Sequence, residues 1–456
     1  MYLMIQYATQ LPDIENALRP SPLSLAELDK FFVETEESRD PFRNRRQVLA
    51  KQLKSESQTK ILLLGHPGCG KSTELAQLQK EIKPDYAFVS FSLIDEAQLS
   101  QTSIEDILVI VIEVLVRAAK ILGVQYREKT LEGIYGWFSE AFEIKEDEIK
   151  YGVDLGVEVN TQNIWWGKLL AIGGYLKGDI RAGSQTIRKA ITKENKRLSQ
   201  LVYQCNLLIK EADLAFREVL KKELVLVIED MDKISLSAAD EMLIQNPAPL
   251  KDLACKAIYT APIWILCSPR SAQLESLFRK VTLPMIKVAN LDGSAYSEGR
   301  DALREILKRR MDVSSLLDGG EMGQALTLAI EKTGGVLRHL FAVLADAASV
   351  AEEDFAKRNR NSPVILEPDI RYGLNQLKTD LVRRLGVVGL PKEYQDEKIT
   401  TADMRRRIAE LADKPRKLDS DPINLLLLMS HAVIEYNGEG WHAAHPLMAE
   451  YVRESS

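Results

Sequence analysis

Gly65-His66-Pro67-Gly68-Cys69-Gly70-Lys71-Ser72 follows directly on the apolar run 60–64 and leads into a helical spacing of Leu75, Leu78 and Ile82. A short buried strand, a glycine loop and a helix in unbroken succession constrain this chain more than any other feature. Successive N–H groups of such a loop turn inward around phosphate oxygens, and side chains in place of the glycines would block the approach. Lys71 then supplies a point charge for the outer phosphates, the Ser72 hydroxyl a ligand for magnesium, and the start of the helix a positive dipole end. The candidate phosphate-binding set is Gly65, His66, Pro67, Gly68, Cys69, Gly70, Lys71, Ser72 and Thr73. Cys69 serves there as a small residue, placed so that alkylation of its thiol would disturb nucleotide binding. The expected fold class is α/β, a P-loop core with a parallel sheet flanked by helices.

A phosphate cradle of this kind works with a second strand that ends in carboxylates, one supporting the metal and one orienting or deprotonating water. Residues 224–228 are all aliphatic and run into Glu229, Asp230 and Asp232, the pattern of a central strand buried on both faces. In one register Glu229 supports magnesium and Asp230 is the catalytic carboxylate. In a register shifted by one, Asp230 is the metal-side group and Asp232 an outer acid. Glutamate reaches a methylene further than aspartate, so Glu229 in the metal-supporting place points to slow turnover or a switch-like nucleotide cycle.

A chain of 456 residues predicts several domains, and 45% hydrophobic with 28% charged residues is the balance of a globular protein with sizeable cores. The net charge of -6 gives no overall drive towards nucleic acid or anionic lipid. Residues 107–122 form the most membrane-like stretch, but Glu113, Arg117 and Lys120 interrupt it, and residues 1–10 lack the pattern of a secretory signal. A cytoplasmic location with no membrane partner is expected. Cys69, Cys205, Cys255 and Cys267 have no paired spacing and read as free thiols. The five histidines are scattered, with His442 and His445 the only close pair, and no metal-ligand cluster is legible.

Beyond its two motifs the chain resembles the AAA+ and STAND ATPases, which include origin-recognition ATPases and bacterial signalling and defence ATPases. The acidic run 229–233 is also similar to the D-D-L-D-R form of KAP-type P-loop proteins, which carry an insertion between the motifs. The interval from Leu93 to Leu224 far exceeds an ordinary crossover of a dozen or so residues. By this resemblance residues 86–93 are an additional strand and 263–268 the next one, with Ser268 or Arg270 at the sensor 1 position. Residues 333–340 resemble the lid motif G-G-x-x-R, making Arg338 the sensor 2 arginine. Arg279, ahead of a strand expected at 285–289, lies in the interval of an arginine finger, although an exposed cation at a helix end is the simpler account.

The resemblance implies ATP and Mg2+ as ligands, ATP hydrolysis with Lys71, Glu229, Asp230 and Arg338 as its working residues, and Ser72, Glu229 and Asp230 around the metal. It further implies a nucleotide-controlled switch acting on a homo-oligomer or a protein effector, with antiviral defence as a setting. Two alternatives stand beside it: a DNA-binding AAA+ loader or regulator of transposition or replication, and a module that retains nucleotide without turnover.

The expected division is a lead-in over 1–55, a core over 56–290 with a helical insertion at about 97–222, a helical lid over 291–362 and a winged-helix-like domain over 363–456. The insertion reads as helices at 104–122 and 184–220 around a half-buried strand at 151–159. Trp137, Trp165 and Trp166 fill its small core or anchor a partner. Helices at 297–311 and 323–353 form the lid, and 363–368 a linker. Helices near 370–385, 401–411 and 423–429 precede a hairpin at 433–442, where Asn437-Gly438 supports the positive backbone angles of a tight turn. Arg405, Arg406, Arg407, Lys414, Arg416 and Lys417 offer a modest basic patch for DNA, with a solvated face as the more economical account.

Overall fold

The computed structural model describes residues 4–99, 102–142, 164–182, 187, 197–268, 270–358, 360–386, 399–436 and 440–455. Strands β1 (Lys60–Gly65), β2 (Tyr86–Ser92), β3 (Glu223–Glu229), β4 (Lys256–Pro262) and β5 (Arg279–Thr282) form a parallel sheet in the order β2-β3-β4-β1-β5. The aliphatic runs of β1 and β3 are buried on both faces, as parallel strands covered by helices require. These two strands are not neighbours, because β4 lies between them, with Ile258 opposite Ile61 on one side and Val227 on the other. The loop after β1 and the acids after β3 therefore flank the carboxyl end of β4. That is the crevice in which open α/β sheets bind ligands.

The expected strand at 263–268 is instead a 3-10 turn, Ile263–Cys267, and the true strand is β4 just upstream. The ladder explains the displacement: β4 follows β1 only as far as Pro262 opposite Gly65, where β1 gives way to the loop. With no strand left to pair, Ile263, Trp264 and Ile265 are buried in a turn that packs on the helix Pro422–Met429. The strand expected at 285–289 is displaced in the same way. Its place in the sheet is taken by β5, which pairs with β1 as far as Thr282, while Met285 and Ala289 make single bridges to Tyr436 and Ala295.

The insertion contains the helices Ile104–Leu122, Glu128–Ala141, Ile164–Arg181 and Arg197–Val219, which pack together and lie on β2 and β3. Ser103 and Asp106 start the first of them with a capping box, worth about 1 kcal/mol. Trp137 meets Phe138 edge-on and Trp165 tilts against Tyr135, so these two half-buried rings fill the insertion core. The alternating segment 151–159, the side chain of Trp166 and the turn residues 437 and 438 lie outside the described residues.

After the sheet come the helices Ser297–Lys308, Gln324–Lys332 and Leu337–Ala356. The linker expected over 363–368 is shorter, because Ile365 is buried in a bridge to Leu317 and a helix begins at Glu367. The C-terminal part comprises the helices Thr401–Asp413 and Pro422–Met429, an antiparallel hairpin of β6 (Val433–Tyr436) and β7 (Trp441–Ala444), and the helix Pro446–Glu454. Helices with a hairpin in this order form a winged-helix-like unit. Among the described residues no helix is long and apolar enough to cross a membrane.

If the 3-10 turn is the seam between sheet and C-terminal helix, Ile265→Ala should destabilise the protein by about 2–5 kcal/mol, since its side chain is fully buried. A shift in the urea midpoint worth less than about 1 kcal/mol would mean that the seam is loosely packed.

Candidate nucleotide site

Gly68 and Gly70 have φ of +86° and +102°, conformations that side chains resist. Gly68 is constrained twice, because a Cβ there would lie 2.9 Å from the Cβ of Arg338. The loop and the first turn of helix Leu337–Ala356 are thus in direct contact. Lys71 opens the helix Lys71–Ile82, and its side chain turns back to donate to the carbonyls of Gly65 and His66, each at 2.9 Å. Its third partner is Asp232, with Nζ 3.0 Å from Oδ2 and both side chains buried. Burial works against both charges, yet their attraction wins: Lys71 is held above its ordinary pKa and Asp232 below. Thr260 on β4 donates to the other oxygen of Asp232 at 3.2 Å.

Glu229 ends β3 and accepts a hydrogen bond from the Ser72 hydroxyl, while burial pushes its carboxyl up to about 7. Asp230 adopts the left-handed backbone region, φ +66°, and is tied to the Ser92 hydroxyl and to the Lys233 ammonium. Such a conformation costs about 1–3 kcal/mol and persists where the surroundings over-determine it. Ser72 therefore faces Glu229, Lys71 faces Asp232, and Asp230 is held between β2 and the turn after β3.

A cavity of about 140 Å³ lies over the loop. Its charged wall carries Gly68, Gly70, Lys71, Ser72, Asp230 and Arg338, and its apolar wall includes Leu23 and Phe31 from before the sheet with Ile306 and Phe341 of the helices after it. Sequence reasoning missed Arg39, which is 2% exposed and also lines this cavity. Its guanidinium donates to the carbonyl of Cys69 at 2.7 Å, to that of Pro284 at 2.5 Å and to Thr35 Oγ1 at 3.0 Å. Nothing local separates Arg39 from Arg43, Arg45 and Arg46, because its role arises only from tertiary contact.

The histidines scattered along the sequence are gathered in space. His66 of the loop, His431, His339 beside Arg338, and His445 form a row of buried rings with successive centroids 5.2, 5.4 and 5.2 Å apart. The N–H of Leu447 donates to His445 Nδ1, so His445 carries its proton on Nε2 and donates to His339 Nδ1 at 3.2 Å. His66 Nε2 accepts the N–H of Glu435 on β6 at 3.1 Å. Burial pushes all four rings down from the usual value and keeps them neutral.

Other expected residues lie elsewhere. Ser268 is buried after the 3-10 turn, and neither it nor Arg270 lines the cavity; Thr260 is the polar β4 side chain that reaches the acids. Arg279 opens β5 opposite Ile61, at the end of the sheet away from the loop, and pairs with Glu56 at 2.6 Å. Within the basic run, Arg405 stacks on Tyr451, Arg406 pairs with Asp403, and Arg407 binds Asp421 and Asn424.

No protein-family model and no curated protein matches the sequence. Among solved structures, the chain is similar to a Walker-type ATPase of Pyrococcus abyssi, at 14% identity over 96% of this chain and 99% of that one, with a TM-score of 0.44. It is also similar to Cdc6p from Pyrobaculum aerophilum, at 13% identity over 94% and 98%, with a TM-score of 0.34. At such identities the likeness concerns the fold alone.

Glu435 is buried with Oε2 unpaired, and burial pushes its carboxyl up to about 8. The folded protein thus keeps a proton that the unfolded chain releases above about 4.5, so stability falls as pH rises through the folded-state value. Between about 6.5 and 8 Glu74, Glu229 and Glu435 make stability fall with pH, and the buried histidines, neutral in the fold but still partly protonated in the unfolded chain near their ordinary value of 6.5, offset part of that fall. Glu435→Gln should flatten that slope by up to about 1.4 kcal/mol per pH unit in urea titrations. An unchanged slope would put Glu435 in water.

Proposed function

We propose that this chain is a magnesium-dependent ATPase working as a slow, nucleotide-controlled switch of the AAA+/STAND kind. One observation carries this reading: the glycine loop with Lys71, the acids after β3 and Arg338 of the lid helix, distant in sequence, converge on a single cavity. The residues also fit the implied ligands. The glycines leave backbone bare along one wall, and the Ser72 hydroxyl bonded to the Glu229 carboxylate is a pair of hard oxygen donors suited to Mg2+. Ser72, Glu229 and Asp230 would hold the metal, Asp230 from the cavity wall and Glu229 from behind the Ser72 hydroxyl it accepts from, and the ion would supply charge neutralisation on phosphate oxygens.

Lys71 binds the outer phosphates by exchanging its bond to Asp232 for bonds to them, and Asp232 remains held by Thr260. Asp230 orients or deprotonates the attacking water, with Ser92 and Lys233 fixing its direction. Arg338 reads the γ-phosphate from the lid and couples its presence to lid position. A ligand shifts such an equilibrium only by its differential affinity, so ATP and ADP must differ in their contacts with Lys71 and Arg338.

In this reading the chain divides into a lead-in (1–55), a core (56–290), a lid (291–362) and a winged-helix-like part (363–456), and the nucleotide changes how they are presented. A homo-oligomer or an effector protein receives the change, in the cytoplasm, and the family resemblance suggests bacterial antiviral defence as the setting. Arg406 and Arg407 are held by carboxylates and Arg405 by Tyr451, and the hairpin strand β6 is buried against the loop. Both observations favour an internal role for the winged helix over DNA binding.

The test is magnesium-dependent ATP hydrolysis by the wild type, Lys71→Ala and Asp230→Asn, with particle mass measured in ATP with and without duplex DNA. Asp230→Asn should lose about 10²–10⁴-fold in turnover and retain ATP, whereas Lys71→Ala should lose ATP binding. Equal hydrolysis by all three proteins would sink the site assignment. Duplex binding that weakens steeply with salt would put the loader reading in its place.

A further inference from the structure

Arg310 is a buried cation that pairs with no carboxylate among the described residues. It is 5% exposed, its Nη1 donates to the carbonyl of Ala17 at 3.0 Å, and its guanidinium lies 4.8 Å from the centre of the Phe341 ring. Its Nε finds no acceptor among the described residues. Glu27, the carboxylate whose field it feels most, is already bound by Arg19, by the N–H of Ile5 and by Ser24. A buried guanidinium left this way is costly, and the cost is relieved where a ligand supplies the missing acceptor.

The place of Arg310 tells which part of a ligand that is. Arg310, Phe341 and Ser21 line the same cavity as Gly68 and Lys71, and the Ser21 hydroxyl is likewise buried without a partner. Phe341 follows Arg338 by about one turn of the same helix, so Arg310 stands a helical turn from the arginine that touches the loop. The wall there is apolar, with Phe31 and Ile306. A ligand with phosphates on the loop reaches this region with its flat, apolar end, the base. A guanidinium has five donors and no acceptor, so it reads a ring nitrogen or a keto oxygen and never an amino group, and adenine offers it ring nitrogens alone.

We infer that Arg310 selects the nucleobase, its Nε–H donating to a ring nitrogen of the purine stacked in the apolar part of the cavity, with Ser21 at the same edge. This rests on the reading of the site as an ATP site. The probes are ATP and its 1-deaza, 3-deaza and 7-deaza analogues, each lacking one ring acceptor, titrated calorimetrically into the full-length wild type, Arg310→Met and Arg310→Lys. One analogue should bind the wild type roughly tenfold or more weakly than ATP, and the variants should bind that analogue and ATP alike. Arg310→Lys keeps the charge and loses the Nε–H, so it decides the matter if the methionine variant does not fold. Three analogues that bind the wild type as ATP does, or a loss that persists in the folded variant, overturn the inference. Absence of ATP binding to the wild type strikes the reading of the whole site, whereas ATP binding that depends on Lys71 but shows no link between base and residue 310 strikes this inference alone.

Discussion

A lysine ammonium with almost no access to water is the constraint around which the molecule is arranged. An isolated charge in that position would be lost to deprotonation, so Lys71 requires acceptors on several sides. Two come from its own loop, the carbonyls of Gly65 and His66, and the third is Asp232, which arrives from β3 across the end of β4. The strand order makes this possible. With β4 between β1 and β3, the gap is spanned by the lysine on one side, the aspartate on the other, and Thr260 of β4 bracing the aspartate from below. Arg39 takes up the carbonyl of Cys69 in the same manner. The carbonyls of residues 65, 66 and 69 are thereby engaged by cations, and these acceptors no longer oppose an incoming anion.

How much of this was legible in the sequence follows from the range of the interactions concerned. The loop, the strand before it and the helix after it are encoded locally, by glycines at positive φ and by hydrophobic spacing, and they lie where the pattern puts them. The aliphatic run into Glu229 and Asp230 is local in the same sense. β4 was misplaced because Ile263, Trp264 and Ile265 look more like a strand than Lys256–Pro262 does. A strand's limits, however, are set by its partner, and β1 leaves the sheet at Gly65. The bond from Lys71 to Asp232, the reach of Arg39 and the row of histidines are invisible to spacing, since each joins residues that only the complete fold brings together.

The histidines bear on how the loop communicates with the rest of the molecule. The row begins on the loop at His66, passes through His431 and His445 of the C-terminal part, and includes His339, the neighbour of Arg338. Neutral imidazoles pack at ordinary ring distances only while none is protonated, and burial enforces that state. His431 adopts a positive φ of 62°, a conformation that needs surrounding contacts to maintain it. The hairpin adds two hydrogen bonds, from the N–H of Glu435 to His66 and from the Tyr436 hydroxyl to the carbonyl of Gly334 at 2.6 Å. The loop is thus fastened to the N-terminal segment by Arg39, to the helix Leu337–Ala356 by the contact of Arg338 on Gly68, and to the hairpin by His66. Packed interfaces of this density shift between discrete arrangements and deform little. A rearrangement of the loop must therefore displace all three neighbours together or none.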